Sequence, residues 1–252
     1  WGQKLGVQMN SVRVEFSPKK HVAETDTILD IIDRIKGAAP KRAKKKARKS
    51  AKDPVMVEIG LFDAHFGKLV TGETESIEDV KDMWMDAVTD LVDRTKHHDV
   101  ELFLLPIGND MLHVDNKAGT TAKGTVQDMS CGFEKMIQVA YQSVLDSVAM
   151  MSAIAPVKVI WTKGNHDPLT SWFLCKMLES YFHADKNVEV SVDAGARQYV
   201  RYGCTLIGFT HGNEEKKADL PMMLARESGS DFHETIYQEF HTGHFHGEES
   251  KT

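Results

Sequence analysis

From Pro54 onward, short continuous apolar runs alternate with longer stretches in which apolar residues recur every three or four positions. The runs at 55–61, 100–107 and 157–162 read as buried strands. Between the first two, residues 76–98 predict a helix with Ile77, Val80, Trp84, Val88 and Leu91 on one face. A Gly/Thr-rich loop over 108–128 precedes a second helix over about 131–153, and a third is expected near 169–183. Buried strands alternating with helices imply parallel strands joined by crossovers. The rhythm then changes. Strand-like runs follow at 187–192, 197–202, 204–210 and 237–246, interrupted by a helical stretch near 214–227. Their close spacing predicts a second, more antiparallel sheet. The expected fold class is α/β, a two-sheet β-sandwich flanked by helices, occupying residues 54–252.

Residues 1–36 have a pattern of their own. Val12, Val14 and Phe16 alternate as in a short strand. Thr25 or Asp26 would cap a helix through Ile28, Leu29, Ile31, Ile32 and Ile35 that stops at Gly37. A small N-terminal appendage is therefore expected, followed by a linker over 37–53. The linker changes the charge picture. The chain carries 31 basic and 37 acidic residues, a net charge of −6. The run KRAKKKARKSAK at 41–52 holds eight of the basic residues and no acidic one, which leaves 23 against 37 elsewhere. An acidic body does not attract nucleic acid by bulk charge, so such attraction falls to the basic linker or to a local groove. The linker is a solvated tether on one reading and a tether for nucleic acid or a partner protein on another.

At 252 residues and 41% hydrophobic, the chain is long enough to bury a substantial core. No apolar run approaches the roughly 18–20 residues of a membrane span, and no signal-peptide pattern opens the chain. Cys131, Cys175 and Cys204 are far apart and lack CxxC spacing. They are expected to be buried free thiols in a reducing, cytoplasmic setting. Trp1 in place of methionine suggests a chain processed, trimmed or incomplete at that end.

Five polar motifs follow apolar runs in order: Asp63-Ala64-His65, Gly108-Asn109-Asp110, Gly164-Asn165-His166-Asp167, Thr210-His211-Gly212 and Gly243-His244-Phe245-His246. In a parallel sheet, ligands bind beyond the carboxyl ends of the strands, which is where Asp63, Asp110 and Asn165 fall. Carboxylate, amide and imidazole donors together suit Mn, Fe, Zn or Ni better than Ca. The i, i+2 spacing of Asp63 and His65 places both side chains on one side of an extended segment, and His244 with His246 repeats it. Two divalent ions about 3.5–4 Å apart need a bridging carboxylate. Asp110, after a buried strand and a glycine, is the natural candidate.

In this order the motifs DxH, GD, GNHD, a lone His and GHxH resemble the calcineurin-like metallophosphoesterase superfamily, over residues 55–246. The resemblance implies a four-layer fold and two metal ions. It assigns Asp63, His65, Asp110 and His246 to the first ion, and Asp110, Asn165, His211 and His244 to the second. It implies that His166 is not a ligand but stabilises the transition state or protonates the leaving oxygen, oriented by Asp167. The usual second motif is Gly-Asp; here Asn109 intervenes. Counting from Asp110, the third residue is His113, as in the repair-nuclease branch, where that histidine helps place a phosphodiester. The GDxVDRG and GNHE motifs of the protein serine/threonine phosphatases are absent. The run GNDMLHVDN also resembles phage- or prophage-encoded members. Members usually continue beyond GHxH, whereas this chain ends six residues after His246, so truncation at the C-terminus is expected.

The function expected from these residues is a two-metal phosphoester hydrolase, with Mn foremost among the possible ions. A metal-bridging hydroxide would attack a phosphodiester, making the enzyme a phosphodiesterase or nuclease, with DNA or RNA among the substrates such an enzyme would take. The alternatives are a phosphomonoesterase for nucleotides or small metabolites, if the 108–128 loop closes the site to polymers, and a non-catalytic scaffold subunit. Trp172 and Phe173, just after GNHD, line the cleft on one reading and pack in the core on the other. Lys163 either meets a phosphate or is solvated.

Overall fold

A computed structural model describes residues 53–69 and 76–244 of the chain. The small N-terminal element, the basic run and His246 lie outside the described residues. Strand β1 (Pro54–Glu58) leads to helix α1 (Ile77–Arg94), a 3₁₀ turn (Thr95–His97), β2 (Asp99–Gly108), α2 (Phe133–Ser152), β3 (Val157–Thr162), α3 (Pro168–Phe182) and β4 (Val188–Ser191). Then come β5 (Gln198–Tyr202), β6 (Thr205–Thr210), a 3₁₀ turn (Lys217–Asp219), α4 (Leu220–Glu227), α5 (Ser230–Glu234) and β7 (Tyr237–Thr242). The first four strands form a parallel sheet in the order β1-β2-β3-β4. A separate three-stranded sheet has the order β5-β6-β7.

The two-residue period of the buried strands explains the layering. On β2 and β3, Phe103, Leu105, Ile107, Val157, Val159 and Trp161 face the helices. Leu104 and Ile160, one residue out of phase, face the opposite way and pack with Val200, Ile207 and Phe209 of the smaller sheet. Strands in sequence order with right-handed crossovers place every crossover helix on the same face, leaving the other face for the second sheet. Residues that alternate between two apolar environments read in sequence as an unbroken apolar run. On the far side of the smaller sheet, Tyr199 and Arg201 of β5 reach Glu227 of α4 and Asp231 of α5 at 2.7 and 3.1 Å.

Local chemistry starts the helices where the sequence marks them. Ser76 and Asp79 form a reciprocal cap: the Ser76 N–H donates to Asp79 Oδ2 at 2.7 Å, and the Asp79 N–H donates to Ser76 Oγ at 3.2 Å. Pro168 occupies the first turn of α3, where its missing N–H is harmless. Trp84 donates its indole N–H to Ser147 Oγ at 3.0 Å, pinning α1 to α2 inside the core.

Several expectations are corrected. The run at 187–192 belongs to the parallel sheet as β4, so the sheets divide between residues 191 and 198. The second sheet is mixed, because β5 and β6 are antiparallel but β6 and β7 are parallel. Asp63 and His65 lie on left-handed rather than extended backbone, with φ of 54° and 45°. Of the cysteines, all three are free thiols, yet only Cys175 is buried, Cys131 being half-buried and Cys204 exposed. Phe173 points outward at 55% exposure while Trp172 packs against the core edge.

Candidate metal centre

The strand pairings bring four of the five motifs to one edge. Gly108 pairs with Thr162, so the segments after β2 and β3 leave the sheet side by side. Thr210 pairs with Thr242 in the parallel β6–β7 ladder, which puts His211 and His244 at the same end. An antiparallel β6–β7 pair would have sent them to opposite ends. The rings of His211 and His244 accordingly meet edge to face with centroids 5.0 Å apart.

Backbone hydrogen bonds extend the sheet past its strand ends. The N–H groups of Asp63, His65 and Phe66 donate to the carbonyls of Asn109, Asp110 and Met111 at 3.1, 3.1 and 2.8 Å. The Asn109 N–H donates to the Thr162 carbonyl at 2.7 Å. Both loops turn through the left-handed region. Among the described residues, the non-glycine residues there are Asp63, His65, Asn109, Asp110 and His244, and all belong to the motifs. Such conformations cost about 1–3 kcal/mol each and concentrate at functional sites. Gly108, at φ 81°, has no room for a side chain: a β-carbon there would lie 2.2 Å from the Thr162 carbonyl oxygen.

The donor atoms form groups around Asp110. Asp63, His65 and Asp110 offer atoms within 4.8 Å of one another, as do Asp110, His211 and His244. Asp110 thus belongs to both. Its Oδ2 lies 3.0 Å from His211 Nε2, and its Oδ1 accepts from the His166 N–H at 2.8 Å. Asn165 joins the second group, its Oδ1 2.8 Å from the same His211 Nε2. His211 Nδ1–H donates to Asn109 Oδ1, while Nε2 faces two further oxygen donors, on Asp110 and Asn165. Nitrogen and oxygen lone pairs converging around the buried Asp110 and His211 are what a divalent cation satisfies, and the residues could hold one. The backbone of His244 donates to the Asp63 carboxylate at 2.9 Å, holding the last motif against the first.

A third group, His65, His113 and His166, shares His65 with the first. His113 Nδ1 sits 3.5 Å from His65 Nδ1, and the rings of His113 and His166 stack with centroids 5.4 Å apart. Burial, reinforced by the neighbouring His166, holds His65 down to about 3 and His113 to about 4. Both imidazoles are therefore neutral at pH 7, the form in which a ring nitrogen donates a lone pair to a metal. Burial raises the Asp110 carboxyl, but hydrogen bonds from His211 and His166 outweigh it and leave it below the ordinary range. Asp167 is shifted far upward by burial and by the charge of Asp110.

The partners of His166 differ from expectation. Its Nδ1–H donates to the His113 carbonyl at 2.9 Å, while Asp167 Oδ2 accepts from the Leu112 N–H at 2.7 Å. The orienting contact assigned to Asp167 is made by the backbone of His113, and Asp167 instead pins the 109–115 loop. That loop is tied again at Asp115, whose Oδ1 accepts from the backbone of Leu169 and Thr170 at 3.0 and 2.8 Å. Lys163 is neither simply solvated nor aimed at the centre: its Nζ meets Glu214 at 2.8 Å.

Asn109 and Gly243 are more deeply involved in the centre than their motifs imply. Asn109 is fully buried beneath the centre, and a β-carbon on Gly243 would approach Asn109 Oδ1 at 2.6 Å and Asp63 Oδ2 at 2.8 Å. The available signal was the run Gly108-Asn109-Asp110, three residue types that accept left-handed backbone. No protein-family model, curated protein or solved structure matches this chain.

Proposed function

We propose that the chain is a two-metal phosphoester hydrolase acting on phosphodiesters, with a nucleic-acid strand as substrate. The observation that carries the reading is Asp110, shared between two donor groups in each of which the ligand atoms lie within 4.8 Å of one another. The ordered motifs, their resemblance to calcineurin-like metallophosphoesterases and the clustering of left-handed backbone at those same residues support it. Asp63, His65 and Asp110 would hold one ion, with His246 completing the set. Asp110, Asn165, His211 and His244 would hold the other. Manganese is the first candidate for this oxygen–imidazole set.

When bound, such a pair of ions supplies charge neutralisation for the phosphoryl oxygens and a water acidic enough to act as nucleophile. The chain's own residues do the rest. The His113 carbonyl takes the Nδ1–H of His166, which leaves the Nε2 of that ring to exchange a proton with the leaving oxygen. His113, neutral and stacked on His166, would meet the ester group beside the scissile bond. The basic run at 41–52 supplies charge suited to a polyanion.

Purified protein with Mn²⁺ should hydrolyse bis-p-nitrophenyl phosphate and cleave DNA. Asp110→Asn should lose both ions and all turnover. His166→Ala should keep both ions while kcat falls by about 10²–10⁴-fold. Hydrolysis of p-nitrophenyl phosphate alone would transfer the reading to a phosphomonoesterase. Two bound ions without turnover of either would make the chain a scaffold.

A further inference from the structure

Asn109 stands where a glycine usually precedes the bridging aspartate, and its surroundings show what the exchange accomplishes. It is fully buried. Its N–H donates to Thr162 at the end of β3, and its carbonyl accepts from the Asp63 N–H. Its side-chain Oδ1 accepts from His211 Nδ1–H, and Gly243 is packed against the same oxygen. One residue therefore touches the first, third, fourth and fifth strand ends that build the centre. Its Nδ2 has no partner among the described residues, so the amide is placed to satisfy the imidazole rather than itself.

We infer that Asn109 is a positioning residue: its amide oxygen holds the His211 imidazole with Nδ1 protonated and Nε2 turned to Asp110 and Asn165, and so determines the second metal site without being a ligand. The inference rests on the two-metal reading. A neutral imidazole has one donor and one acceptor nitrogen. With its Nδ1 proton committed to Asn109, the ring turns Nε2 to Asp110 Oδ2 at 3.0 Å and Asn165 Oδ1 at 2.8 Å, where an ion between these donors would take the Nε2 lone pair. Partners of this kind on the far nitrogen fix ring orientation and raise ligand basicity, and their loss costs metal affinity about 10–100-fold. If Asn109 served only to make a left-handed turn, glycine would serve better, because it enters that region without a steric cost. The two roles are therefore separable.

The test compares wild type, Asn109→Gly and Asn109→Asp. Glycine keeps the turn and removes the amide; aspartate keeps an acceptor oxygen at the same place. Imidazole ¹⁵N NMR on metal-free protein reads the His211 tautomer, and Mn²⁺ titration by calorimetry reads both sites. In wild type and Asn109→Asp, His211 should carry a proton on Nδ1. In Asn109→Gly the Nε2–H form should appear, and affinity for one ion should fall by about 10–100-fold while the other, on Asp63 and His65, is retained. An Asn109→Gly protein with the Nδ1–H tautomer and both affinities unchanged would overturn the inference. So would loss of the Nδ1–H tautomer in Asn109→Asp, a result that decides the matter even if the glycine variant does not fold. Should wild type bind no Mn²⁺ at all, the two-metal reading falls, while the tautomer measurement still judges Asn109 separately.

Discussion

Gly164 shows how little freedom the centre has at the level of single atoms. A β-carbon at this position would lie 2.2 Å from Asp110 Oδ1, 2.4 Å from the Asp110 N and 2.7 Å from Asp167 Oδ1. No rotamer change relieves a clash with a backbone nitrogen, so Gly164→Ala must displace the shared carboxylate. The expected result is loss of the Mn²⁺ binding proposed for the chain, in a protein whose far-ultraviolet circular dichroism is unchanged, and Mn²⁺ binding equal to wild type in that variant would refute the placement of Asp110. The motif residues themselves were legible because each is a chemically distinctive side chain after an apolar run. Their conformation was not. The spacing of Asp63 and His65 implied an extended segment, whereas both take left-handed backbone because their N–H groups reach across to Asn109 and Asp110. The contact between His166 and the His113 carbonyl was equally invisible, since a backbone acceptor has no signature in the side-chain sequence.

Elements were easier to read than contacts. The helix expected over 76–98 appears as α1 from Ile77, with Ser76 as its cap, and ends in a 3₁₀ turn at His97. Its apolar face buries Ile77, Trp84, Val88 and Val92. The indole of Trp84 adds a buried hydrogen bond to Ser147 of α2. Trp84→Phe keeps most of the apolar area but loses that bond and leaves the Ser147 oxygen short of a donor. It should lower the free energy of unfolding by about 1–3 kcal/mol in urea titrations. Trp84→Ala, which also opens a cavity, should cost about 3–5 kcal/mol. Equal losses in the two variants would mean that the hydrogen bond dominates and packing counts for nothing. Phe173 marks the limit of this scale. It lies on α3 four residues after Leu169 and four before Met177, and all three are exposed. Helical spacing identifies a shared face but not whether another element covers it.

The two sheets are joined by more than apolar packing. His241 of β7 places Nδ1 2.7 Å from Glu58 Oε2 at the end of β1, and Nε2 3.2 Å from Glu239. Hydrogen bonding to Glu58 raises the His241 pKa above 6.5, against an opposing effect of burial. A raised folded-state value means that the protonated ring is bound more tightly in the native state than in the unfolded chain. The resulting stability is fully present below pH 6.5 and is lost as pH rises through the raised folded value. His241→Gln should therefore be less stable than wild type in acid, with the gap closing above that point. A gap that is constant from pH 5 to 9 would show that His241 contributes shape rather than charge. Among the described residues, no helix is long and apolar enough to cross a membrane.

By itself, the sequence determined most of the strands and helices, and which side chains are candidates to hold a metal. Both are recorded locally, in periodicity and in residue type. Tertiary structure alone decided which motifs meet. The parallel pairing of β6 with β7 brings His211 beside His244, the assignment of β4 to the first sheet sets the sheet boundary, and Asn109 becomes the contact beneath four strand ends. Strand direction and neighbour choice depend on chain closure over long separations and on packing of both faces, and neither leaves a local pattern to read.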